Sequence, residues 1–190
     1  EAFEVGLGMN MSTAAGGAMP TGRLVKLAGA YKPNVFAGMS EYFKNRFLRE
    51  AIEQKISLGK DMLFVNGADK MYGSEVETIK KLSAKLGVSH PMILDLYAAS
   101  ELKEGLFPEC HSGKGFHHLA PLSNIIRTIK GEEGDDKYIE HWDFTDETKG
   151  GIATVWNIDG AGTLLQGYVI GDKYGKVTKE KCSTCHLNVK

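Results

Sequence analysis

No run of about 18 consecutive apolar residues occurs in this chain, so it offers no segment that would span a membrane as a helix. An excess of one charge is missing too. Lys and Arg number 23 against 24 Asp and Glu, a net charge of −1, which argues against nucleic acid as the main partner. No internal repeat is present. Catalytic signatures are scarce. Gly6-Leu7-Gly8 and Gly160-Ala161-Gly162 lack the strand-to-helix context of a dinucleotide fingerprint, and Ser, His and Asp occur without a nucleophile elbow. The chain starts at Glu1 with no signal peptide, which fits a processed, exported protein. What remains is ordinary for a globular protein: 190 residues, 42% hydrophobic and 25% charged, enough to bury a sizeable core in one domain.

The pattern along the chain predicts an α+β fold, with N-terminal helices and a small C-terminal antiparallel sheet. Residues 1–30 read as an irregular lead-in, rich in Gly, Met, Ser and Thr over 6–22. Residues 31–130 read as mainly helical. Asn34 is placed to cap a helix to about Ser57, because Phe36, Met39, Phe43, Phe47, Leu48, Ile52 and Ile56 form a stripe of helical period. Met62-Leu63-Phe64-Val65 reads as a short buried strand. Ser74 with Glu77 forms a capping box for a helix to Leu86, closed by Gly87. Ser89 and Pro91 open a further helix to about Glu104, and another runs from Ala120 to Lys130.

Residues 138–171 change period. Tyr138–Phe144, Ile152–Ile158 and Thr163–Ile170 read as an antiparallel meander, the last two joined by Asp159-Gly160-Ala161-Gly162. A PAS-like topology is one arrangement that fits a strand, intervening helices and three consecutive antiparallel strands. Residues 172–190 form a tail.

That tail carries the most specific feature, Cys182-Ser183-Thr184-Cys185-His186. Spacing C-x-x-C-H admits several chemistries. The pair is half of a zinc site if Cys110 or His186 completes it, or a thiol redox pair. It is also the attachment signature of haem c, in which two thiols add to the two vinyl groups and the next residue ligates the iron. In this the chain resembles c-type cytochromes. Its motif position near the C-terminus is similar to that of three families: cytochromes c′, whose all-helical fold the β-rich run 138–170 argues against; cytochrome P460 and its β-rich c′ relatives, similar also in size; and periplasmic PAS-like haem c sensor domains, similar also in mixed composition.

The resemblance implies one haem c on Cys182 and Cys185, with His186 as proximal ligand, acquired in the periplasm or outside the cell. A second cluster lies at Cys110-His111-Ser112-Gly113-Lys114-Gly115-Phe116-His117-His118. His117, or His118 beside it, is the expected distal ligand. Phe107-x-x-Cys110-His111 has the form of the motif with its first Cys replaced, so a second haem on Cys110 with His111 is a further expectation. A thiolate role or an inert thiol for Cys110 stays open.

The function these readings imply is electron transfer by a bis-histidine haem with redox protein partners. A haem-based gas or redox sensor, and a small haem enzyme acting on peroxide or nitrogen oxides, are the alternatives. Lysines flanking the tail and acids over 132–147 are placed to steer a partner or to support self-association.

Overall fold

The computed structural model describes residues 19–68, 70–102, 106–110, 115–119, 123–132, 143–145, 149–158, 165–177 and 182. The fold mixes helices with two sheets, of four and three strands. Two compact units divide the chain, Glu1–Ile93 and Leu94–Lys190.

In the first unit, helix α1 (Thr21–Tyr31) buries Val25 and Ala28, three residues apart on one face. Lys32 closes it in the left-handed conformation, donating its N–H to the Ala28 carbonyl. Strand β1 (Val35–Gly38) pairs in parallel with β2 (Asp61–Gly67), Phe36 facing Phe64. A parallel pair needs a crossover. Here it runs through α2 (Ser40–Tyr42), a π-helical turn (Phe43–Phe47) and α3 (Leu48–Glu53).

The helix expected from Asn34 to Ser57 is therefore corrected. Its first residues form β1, because Phe36 gains a pairing partner and a ring neighbour in Phe47, with ring centroids 4.4 Å apart. The helix starts at Ser40, whose N–H donates 2.7 Å to the side-chain oxygen of Asn66. Of the rest of the apolar stripe, Phe43, Phe47 and Leu48 are buried with Met62, Phe64 and Ile79, Ile52 and Ile56 pack partly buried on the same core, and Met39 is exposed.

The expected strand Met62–Val65 lies within β2. Helix α4 (Gly73–Ala84) is also present, with Glu75 rather than Glu77 as its capping carboxylate. Glu75 accepts 2.9 Å from the Tyr72 N–H at the helix start.

Two further helices were expected and are absent. Residues 90–98 form β3 (His90–Ala98), which in the second unit pairs antiparallel with β4 (Leu106–Pro108), Tyr97 opposite Phe107. Pro91 stands near the start of the strand, where a missing N–H is tolerated. Among the described residues of the stretch expected as a helix to Glu104, only Ser100–Leu102 makes a helical turn, of 3₁₀ type. Residues 124–129 form β5 (Asn124–Ile129), not a helix.

β5 pairs antiparallel with β6 (Gly151–Asn157), which pairs antiparallel with β7 (Gln166–Tyr174). The expected C-terminal antiparallel sheet is thus present, and its hairpin partners are β6 and β7. Its remaining strand is β5 rather than Tyr138–Phe144. Of the latter only Asp143 and Phe144 lie among the described residues, and Phe144 makes an isolated bridge to Ile129. This unit has its own core, with Leu102, Phe107 and Val155 buried and Tyr97, Ile126 and Ile170 packed on them.

Candidate metal centre

Cys110 and His117 sit on a narrow antiparallel turn that continues β4. The Cys110 N–H donates 2.7 Å to the Gly115 carbonyl, and the His117 N–H donates 3.0 Å to the Pro108 carbonyl. Glu109 and Phe116 face each other across it. Gly115 has φ +132, a backbone conformation that side chains strain to adopt.

Alternation along paired strands decides what each side chain meets. Cys110 and His117 fall on one face of the turn. Phe107, Glu109, Phe116 and His118 fall on the other. His118 accordingly stacks on Phe107, ring centroids 4.8 Å apart and planes 10° apart.

The face with Cys110 and His117 receives Cys182. The two sulfurs are 3.4 Å apart. One ligand atom from each of Cys110, His117 and Cys182 lies within 4.8 Å of the others, with Cys110 and His117 buried and Cys182 half-buried. Among the residues singled out in the sequence, the structure brings these three together and sends His118 elsewhere. Cys185, His186 and His111 lie outside the described residues.

The spacing is informative. A disulfide would bring the sulfurs to about 2.05 Å. Two thiolates on one tetrahedral zinc, with Zn–S bonds of about 2.3 Å, stand about 3.8 Å apart. In a haem c site the thioether sulfurs lie at the porphyrin edge and the axial nitrogen over its centre. A thiol and an imidazole converging with a second thiol on one small volume form a group that could hold a metal ion.

A second polar cluster lies nearby in the same unit, on β3, β7 and the end of β4, and sequence reasoning missed it. The Tyr97 phenol donates to the Asp172 carboxylate. Tyr174 meets the Tyr97 ring edge-on, centroids 5.7 Å apart. Burial, then the neighbouring Tyr174 and Asp172, hold the Tyr97 phenol well above its ordinary value. Burial pushes Tyr174 up to about 12. Burial and the nearby Asp95 carboxylate raise Glu109. The available signal was weak: Asp172 and Tyr174 stand two apart at the end of β7, but a register shift against β6 between Val169 and Lys173 interrupts the strand's alternation.

Comparisons with known proteins bear on the whole chain. No family model matches it, and no curated protein matches it. Solved structures do. A 2-hydroxyisobutyryl-CoA ligase, in its postadenylation state with R3-HIB-AMP, is similar with a TM-score of 0.57 and 17% identity, over 93% of this chain and 34% of that one. A long-chain-fatty-acid-CoA ligase from Archaeoglobus fulgidus gives 0.47 and 13%, over 74% of this chain and 28% of that one. The luciferase-like enzyme of the mealworm Zophobas morio gives 0.46 and 12%, over 85% and 42%.

The chain thus spans about a third of the length of the ligases, 28% and 34%. The first likeness shows a shared fold. It overturns the expectation of an electron-transferring, bis-histidine cytochrome: the fold is found in part of an adenylate-bound CoA ligase. The sensor and small haem-enzyme alternatives are withdrawn with it.

Proposed function

We propose that this chain supplies part of an adenylate-forming acid ligase. In that chemistry a carboxylate oxygen attacks the α-phosphorus of ATP. A new C–O–P bond forms, the bond to the bridging oxygen breaks, and pyrophosphate leaves with its electron pair. The acyl adenylate is then the activated acid. One observation carries the reading: the likeness to the 2-hydroxyisobutyryl-CoA ligase extends over 93% of this chain. The fold supports the reaction class by analogy and leaves the acid open.

The Tyr97–Asp172 pair supports the reading chemically. A carboxylate is a suitable acceptor for the hydroxyls of a ribose, and this one is held in place by a phenol. Asp172 is half-buried, at the C-terminal end of β7, where a ligand group can reach it.

ATP–pyrophosphate exchange tests the proposal, measured on the protein that carries this chain with a panel of short hydroxy acids, aryl acids and fatty acids. Exchange dependent on one class of acid is the expected result. Asp172→Asn should raise KM for ATP about tenfold, the effect of a lost charge-assisted hydrogen bond. No exchange with any acid, together with no binding of ATP by calorimetry, would remove the reading.

A further inference from the structure

We infer that Cys110, His117 and Cys182 bind one zinc ion. Three independent observations converge on it. The first is geometric: two sulfurs and an imidazole nitrogen within 4.8 Å of one another, with the sulfurs 3.4 Å apart. Separations of about 3.5–3.8 Å are what a tetrahedral zinc imposes on its sulfur and nitrogen ligands.

The second is in the sequence. Cys182 begins a C-x-x-C pair, a spacing that lets two thiolates reach one ion from a single bend of chain. The same spacing makes Cys185 the residue that the sequence offers for the fourth position, which the variants below test. The third is the turn itself. Its register, with Glu109 opposite Phe116, places Cys110 and His117 on one face.

Ligand chemistry selects the ion. Two thiolates and one imidazole favour zinc over calcium or magnesium. A fourth protein ligand would leave no open position for water and would make the ion a structural one. Its position explains what it holds: it ties the turn after β4 to the segment that follows β7, some seventy residues later in sequence (positions 110 and 182). Binding converts thiols to thiolates and releases protons, so affinity falls as the medium is acidified. The inference stands apart from the ligase reading, and either can fail alone.

Metal content of the purified chain, with cobalt replacement, tests it. Zinc should be present at about one ion per chain. Cobalt(II) put in its place should give the visible bands of a tetrahedral ion and an intense near-ultraviolet thiolate-to-metal absorption. Cys110→Ser, His117→Ala, Cys182→Ser and Cys185→Ser should each lose zinc, and His186→Ala should keep it. Loss in His186→Ala with retention in Cys185→Ser would overturn the ligand set. Absence of zinc and of the cobalt–thiolate absorption in the unsubstituted chain would overturn the site, whatever the variants do. A covalent haem in the intact mass would do the same.

Discussion

Glu75 shows how one side chain serves two purposes at the residue scale. It accepts from the Tyr72 N–H at 2.9 Å, from the Lys44 ammonium at 2.6 Å and from the Ser40 hydroxyl at 3.3 Å. It caps α4 and fastens that helix to the crossover segment. The Lys44 hydrogen bond, then the backbone N–H of Tyr72, hold its carboxyl below the ordinary 4.5. A depressed folded value means the contribution is present above the unfolded value and is lost as pH falls through the folded one. Glu75→Gln should therefore lower stability at pH 7, and the deficit against the parent should shrink below about pH 4. Urea unfolding at both pH values measures it; an equal deficit at each would count against the charge.

Residue types at the metal centre were legible in the sequence, and their grouping only in part. Cys110, His117, Cys182 and Cys185 all stood out by spacing and density. The sequence could not tell His117 from His118, because the choice depends on which face of a paired turn each occupies. It also could not bring Cys110 to Cys182, a contact made through the sheet and not through local spacing.

At the scale of elements, the readings that succeeded were those whose pattern and tertiary pairing agreed. β2 is a short apolar run, and β6 with β7 is a pair of β-rich runs around a glycine loop. Residues 90–98 and 124–129 failed for a common reason. Ser89 and Pro91 are local helix-start signals, yet β3 gains β4 as a partner, and long-range pairing overrode them. Ile125, Ile126, Thr128 and Ile129 are β-branched residues that favour a strand, and all six residues of β5 find partners in β6.

The same sheet has a point of close approach. Gly150, with φ +73, precedes β6, and a Cβ there would lie 2.1 Å from the Tyr174 carbonyl oxygen. Backbone cannot yield as a flexible side chain does. Gly150→Ala should destabilise the second unit by about 3 kcal/mol, at the upper end of ordinary substitutions. Hydrogen exchange should show the loss in β6 and β7; unchanged protection there would contradict the geometry. In the first unit, Phe64 is fully buried between Phe36 and Phe43, with centroids 6.3 and 5.5 Å away. Phe64→Ala should cost about 3–5 kcal/mol, read as a shift in the urea midpoint.

At the scale of the whole molecule, the two units carry separate hydrophobic cores. The first rests on aromatic and aliphatic packing against a parallel pair. Among the described residues the second has fewer fully buried large side chains, and its proposed zinc ties two distant segments. Chelation should consequently destabilise residues 94–190 and leave the protection of α1, the crossover helix and α4 unchanged. Hydrogen exchange with and without a zinc chelator reads this out. Equal loss in both units would show that they unfold as one. Restoring zinc should restore the second unit.

The turn at 107–118 is also a small exercise in fault tolerance. Pairing of period two means that a slip by one residue exchanges its faces. In most such turns that error would swing the ligand away and leave an apolar or charged side chain in its place. Here the residue next in line is another imidazole. A strand that slid by one position would trade the His118–Phe107 stack for a replacement nitrogen facing the thiols, so the doublet lets the centre survive a mistake that would otherwise abolish it.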